Sequence, residues 1–333
     1  MTYRHSDFID RRNFLKGAAA GLILLPHTDF NAVGVRPFTR VSTVAVIRTT
    51  DRKDGVARAI ALLDPKGMAG KQVVIKPNFN TAGAAPAGTD NDILTQLVTE
   101  LKERDAKAIT LGESSGPPNT GEVMAEKGIP DMASDMGFNV VNYDEIPDDD
   151  WVHFQPSGTH WPEGFHLPRH VVEADYNVSA CCLKTHGSGG VFTMSMKLSV
   201  GLTHKSIRRG MHRSPDMRRM IAELNQGYTP QLIIMDGVET FTDGGPSRGT
   251  LTPGNVVVAG TDRVAVDAVG VAILKELGSN DAIMGTPIFQ QEQMARAVEV
   301  GLGVSGPEQI ELISDDDEGK AYATTLKGVL AQG

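Results

Sequence analysis

From residue 42 onward, short β-branched runs alternate with segments of helical spacing, and that alternation leaves few folds open. STVAVIRTT (42–50), KQVVIKPN (71–78), AKAITLGESSG (106–116), FNVVNYD (138–144) and ADYNVSACCLK (174–184) read as strands. So do PQLIIMDG (230–237), NVVVAG (255–260) and EQIELIS (308–314). Between them, segments 55–64, 91–105, 214–227, 262–278 and 287–303 repeat apolar residues at helical intervals. In the second of these, Ile93, Leu94, Leu97, Val98 and Leu101 share one face, and Asp90, Asn91 or Asp92 can cap it. A helix between two strands carries the chain back across the sheet, so the second strand runs parallel to the first. The expected fold is therefore α/β: a mostly parallel open sheet flanked by helices. Residues 145–170, with Pro, Trp and four His, break the rhythm and read as an inserted loop or β-flap. No linker or repeat divides the rest, so 31–333 reads as a single domain.

The first thirty residues read as an address. DRRNFLKGAAAGLILLP (10–26) sets Arg11-Arg12 and Phe14-Leu15-Lys16 before a short Gly/Ala-rich apolar run. A spanning helix needs ~20 apolar residues, more than this run supplies. A charged segment before a short apolar one is a signal-peptide pattern, here of twin-arginine type. The expectation is export through the twin-arginine machinery to the periplasm, with membrane contact only through this segment if it stays uncleaved.

Composition removes some functions. A net charge of −9 and 5% aromatic residues argue against a nucleic-acid partner, which asks for a basic face and stacking rings. The two cysteines, Cys181 and Cys182, are adjacent, so on a strand they point to opposite faces. They read as buried thiols and provide no self-contained iron–sulfur site, which takes four ligands.

Four strands end in polar chemistry: Lys76-Pro77-Asn78, Gly112-Glu113-Ser114-Ser115-Gly116, Lys184-Thr185-His186-Gly187 and Met235-Asp236-Gly237. In an open parallel sheet such ends share one rim, where ligands bind. Lysines there suit a carboxylate or phosphate. The expected binding groups are Lys76, Asn78, Ser114, Ser115 and Lys197, with Gly189 and Gly190 bringing backbone close. The expected catalytic groups are His186, Lys184 and Glu113. Asp236 and Asp267 are candidate ligands for a divalent cation. The structural alternative is that each lysine pairs with an acid. HKSIRRGMHR (204–213), the one basic cluster, reads either as an anion site or as a solvated loop.

Other motifs fall short. GESSG (112–116) fits G-x-S-x-G, but Pro117-Pro118 follows where a helix should start. There is no P-loop, C-x-x-C or H-E-x-x-H. His153, His160, His166 and His170 match no tight zinc spacing and read as surface residues.

Taken together, Lys76-Pro77-Asn78, Glu113 to Gly116, Leu183 to His186 with Thr193 and Lys197, Asp236-Gly237 with Gly245-Pro246, and Asp262 to Asp267 resemble the family catalogued as domain of unknown function 362. The resemblance runs over about 44–280. Leu198 stands where that family usually has Asn, and the cysteine-rich ferredoxin segment of some members is missing. The resemblance implies a shared site at the strand ends and names no reaction. The expectation is an exported enzyme, a hydrolase, lyase or isomerase, acting on a small anionic substrate, with or without a metal. The alternatives are a periplasmic binding or cofactor-chaperone protein, and a redox accessory protein.

Overall fold

The computed structural model describes residues 41–333, and the twin-arginine reading of residues 1–30 lies outside them. The strands are β1 Ser42–Arg48, β2 Gln72–Pro77, β3 Ala108–Glu113, β4 Asn139–Asn142, β5 Trp151–Phe154 and β6 Phe165–Pro168. They continue with β7 Tyr176–His186, β8 Val191–Thr193, β9 Leu232–Gly244, β10 Gly249–Pro253, β11 Val256–Gly260 and β12 Ile310–Ile313.

Ten of them form one sheet in the order β12-β1-β11-β9-β7-β2-β3-β4, with β8 paired to β7 and β10 to β9. Strands β9, β7, β2, β3 and β4 are parallel neighbours, as are β1 and β12. Three strands make the sheet mixed: β8 runs antiparallel to β7, β10 to β9, and β11 to both β1 and β9. The cause is local. Only Gly254 and Asn255 separate β10 from β11, too short a stretch for a crossover helix, so the two form one return limb against β9. The α/β expectation holds.

The excursion at 145–170 is a β-flap. Strands β5 and β6 pair antiparallel in a sheet of their own. There, the His153 and His166 rings lie tilted by 33° with centroids 4.6 Å apart. His160 is not simply a surface residue, because its Nδ1 bonds Glu223 Oε1 at 2.7 Å and Glu223 is fully buried.

Apolar layers cover both faces. Along β1, Val44 and Val46 join one buried cluster, while Ala45 and Ile47 join another. That is the period-two alternation of a strand buried on both sides. The central β7 is buried at every position, and Cys181 and Cys182 are free buried thiols. Of the three candidate caps for the helix Asn91–Glu103, Asp90 serves, accepting from Asp92 N. Among the described residues no helix is long and apolar enough to cross a membrane.

Candidate functional site

The carboxyl ends of β2 and β3 are fastened together by one carboxylate. Glu113 Oε1 accepts from Lys76 Nζ at 2.6 Å and from Ser114 N at 2.8 Å, and its Oε2 accepts from Phe79 N at 2.8 Å. Both side chains of the Lys76–Glu113 pair are buried. Burial lowers the Lys76 ammonium, and Glu113 opposes that shift. Gly201 lies over the pair: a Cβ there would sit 2.8 Å from both Glu113 Oε1 and Lys76 Nζ.

These ends open into a cavity of about 960 Å³. Its lining holds six cations, Lys76, Lys197, Lys205, Arg208, Arg209 and Arg213, against the single carboxylate of Glu113. On a chain of net charge −9, that is a strong local inversion.

The β7–β8 hairpin supplies His186 and Thr193 to the cavity. Gly189, with φ +83°, makes the turn between the two strands. Gly190 then passes so close that a Cβ would lie 2.8 Å from Lys197 Cε and 2.9 Å from His186 Nδ1. Neither His186 Nδ1 nor Thr193 Oγ1 has a hydrogen-bond partner among the described residues, although both atoms are buried. Burial, with Lys197, His212 and Lys184 adding to it, pulls the His186 imidazolium down to about 2. The ring is therefore neutral at ordinary pH.

Lys197 sits on the short helical turn Met196–Leu202, buried and with no ion pair among the described residues. Burial first, then Lys184 and Arg208, bring it down to about 8. Asp267 holds this turn in place, accepting from Ser195 N at 2.8 Å and Met196 N at 3.0 Å.

Several expected site residues take other places. Lys184 does not line the cavity. It is fully buried, and its Nζ donates to Asn78 Oδ1 (3.1 Å), Pro86 O (2.6 Å) and Ala87 O (2.8 Å), clamping the loop that follows β2. Asn78 lines the cavity while accepting that bond. Ser114 lines it too, but Ser115 does not: its amide donates to Thr120 Oγ1 and its hydroxyl is buried without a partner among the described residues.

The expected metal pair does not assemble. Asp236 lies within β9, because that strand runs on to Gly244 instead of ending at Gly237. It accepts from Arg52 Nε at 2.8 Å and Val238 N at 3.0 Å. Asp267 is occupied with the turn. Burial raises both carboxyls, Asp267 to about 7. Neither lines the cavity, and among the described residues no three His, Cys, Asp or Glu side chains converge.

Arg208 is the residue that motif reading missed. It stands on the helix Lys205–Arg213, buried, and ties that helix to the end of β3. Its Nη1 donates to Ser115 O (2.7 Å) and Ser114 O (3.1 Å), and its Nη2 to Ser114 Oγ (2.6 Å) and Thr203 O (2.6 Å). The Ser114 hydroxyl donates in turn to Asp144, which also accepts from Thr120 Oγ1 and pairs with Lys205 Nζ, both at 2.5 Å. Burial works against the Asp144 carboxylate, but these three partners outweigh it and hold the group below its usual range. The signal was present in the sequence: 205, 208, 209, 212 and 213 are one helical stripe, filled with cations and a histidine.

No curated protein matches the chain. Among solved structures, the lactate racemase apoprotein from Thermoanaerobacterium thermosaccharolyticum aligns over 87% of this chain and 87% of its own. The identity is 12% and the TM-score 0.35, a likeness that carries no functional inference. The model of the family described as Domain of unknown function (DUF362) matches residues 73–272, more than half of the chain and all of the cavity-lining residues named above. The chain therefore belongs to the DUF362 family.

Proposed function

We propose that the protein, exported as its first thirty residues suggest, binds a small organic anion in the cavity at the strand ends and moves a proton on it. One observation carries this reading. Lys197 and Arg208 are buried and have no carboxylate partner among the described residues, in a cavity where six cations face one acid. Buried charge is costly unless it is paired, and a carboxylate or phosphate would supply the pairing.

The chemistry follows from the states of the two groups on either side of Gly190. Lys197, brought to about 8, can gain or lose a proton near neutral pH, as a general acid or base must. His186, neutral throughout that range, offers a hydrogen bond to a substrate oxygen and does not carry the proton. Ser114 is a poor nucleophile here. Its hydroxyl is held between Asp144 and Arg208 and hydrogen-bonds no histidine among the described residues. Lyase or isomerase chemistry therefore suits the site better than serine hydrolysis. A second reading, a binding protein without turnover, is favoured by the low His186 value, since a ring that never ionises can serve binding alone.

Two measurements on the folded protein separate these readings. Calorimetric titration with inorganic phosphate and small carboxylates should give saturable binding, at least about tenfold weaker in Lys197→Met. No binding of any of these anions to the wild type would sink the proposal. Proton NMR in heavy water should then show Lys197-dependent deuterium exchange at carbon in a bound carboxylate. Binding without exchange would leave the non-catalytic reading standing.

A further inference from the structure

We infer that the ligand carries two anionic groups joined by an uncharged segment, the outer one a phosphate held by Arg209 and Arg213. This rests on the anion-site reading above and names the class of ligand. It begins from the helix Lys205–Arg213. Lys205, Arg208, Arg209, His212 and Arg213 occupy i, i+3, i+4, i+7 and i+8, the positions that an amphipathic helix normally gives to apolar side chains facing the core. All five line the cavity. The apolar side of the helix is elsewhere: Met211 is buried in a hydrophobic cluster and Ile207 packs against it.

Two of the five have structural work. Arg208 binds the end of β3, and Lys205 pairs with Asp144. His212 donates from Nδ1 to the Arg208 carbonyl at 2.7 Å. Arg209 and Arg213 are exposed, one helical turn apart, and have no acidic partner among the described residues. Like charges at i and i+4 destabilise a helix by a few tenths of a kcal/mol, so the pair does not serve the helix itself. Two guanidinium forks on Cβ atoms about 5–6 Å apart match the several oxygens of one phosphate.

A second set of groups waits at the floor. Lys197, His186 Nδ1 and Thr193 Oγ1 come from the β7–β8 hairpin and the turn after it, not from the helix, and the latter two are buried polar atoms with no partner among the described residues. Leu198, Val200, Pro117 and Pro118 supply an apolar wall to the same cavity. At about 960 Å³ the cavity is at the upper end of the size that holds an organic ligand, and far larger than one inorganic anion needs. Two cationic sets and an apolar wall fit a phosphorylated organic acid.

Calorimetry on the full chain near neutral pH tests this, with short alkanediol bisphosphates of increasing length set against alkyl monophosphates of matching length. One bisphosphate should bind at least about tenfold tighter than its monophosphate. Arg209→Ala with Arg213→Ala should abolish that advantage, so that in the variant the bisphosphate binds no tighter than the monophosphate of matching length. Arg209→Gln with Arg213→Gln, which keeps side-chain bulk, should give the same loss. A bisphosphate no tighter than its monophosphate, or an advantage that survives in both double variants, overturns the two-anion inference and leaves the anion site intact. Failure of the wild type to bind either class overturns both.

Discussion

Three buried lysines around the carboxyl ends of the strands show how partners decide what a residue does. Lys76 is paired with Glu113, Lys184 is spent on three neutral oxygens, and Lys197 has no ion pair among the described residues. Burial lowers all three, but only Lys197 both titrates near neutrality and lines the cavity. Its charge should therefore gate anion affinity. Sulfate, which does not titrate in this range, is the suitable probe. Affinity should be highest below about pH 8 and fall as the pH rises through it, because the free ammonium is lost there. The bound anion favours the charged lysine, so the midpoint in the complex should lie higher. Arg208, His186 and His212 line the same cavity, Lys184 acts on Lys197 from outside it, and His186 stays neutral across the window. Calorimetry over a pH series, with Lys197→Met as the flat control, checks this. A wild-type profile as flat as that of the variant would remove Lys197 from the site.

At the scale of elements, the site is made by the β7–β8 hairpin, the turn Met196–Leu202 and the helix Lys205–Arg213 meeting over the ends of β2 and β3. The hairpin was readable as a glycine-rich bend after an apolar strand, and Gly190 shows why the glycine is required there. An alanine would push its Cβ into Lys197 and His186 at below 3.0 Å, displacing the proposed proton carrier and the proposed hydrogen-bonding ring together. Gly190→Ala should weaken sulfate binding by about tenfold or more and, because Gly190 is itself buried, lower the unfolding midpoint in urea modestly. Unchanged affinity in that variant would show that the close approach does not matter. The helix was harder to read. A search for helical periodicity looks for apolar residues at i, i+3 and i+4, and here those places hold Arg and Lys. The sequence marks this segment as basic, and the tertiary structure sets which side of it faces the cavity.

For the whole molecule, the cavity is coupled to the core through Asp267. This fully buried carboxylate on the helix Arg263–Glu276 fixes the turn that carries Lys197. Its folded value, about 7, stands above the ordinary 3.8 because burial disfavours the charge. The sign follows: the folded state holds the proton more tightly than the unfolded chain. The stability from the protonated form is complete below about pH 4 and is lost as the pH rises through about 7. Asp267→Asn cannot titrate and loses one acceptor, so it should be destabilised by about 1–3 kcal/mol in acid. That deficit should shrink or reverse by roughly 2–4 kcal/mol toward pH 8. Urea unfolding of both proteins over a pH series measures the difference, from which Asp236 cancels because it is common to both. A deficit that stays constant with pH would refute the coupling.

The chain alone determined its class of fold, the position of the β-flap and the rim residues Lys76, Glu113, His186 and Lys197, because strand periodicity and polar strand ends are local properties. It could not assign the partners. Lys184 and Asp236 have the same local appearance as Lys197 and Glu113, and only the path of the loop after β2 and the extra length of β9 turn them away from the cavity. Arg208 reaches the end of β3 across more than ninety residues of sequence. Burial, pairing and the resulting charge state are set by groups distant in the chain, so they were decided by the tertiary structure.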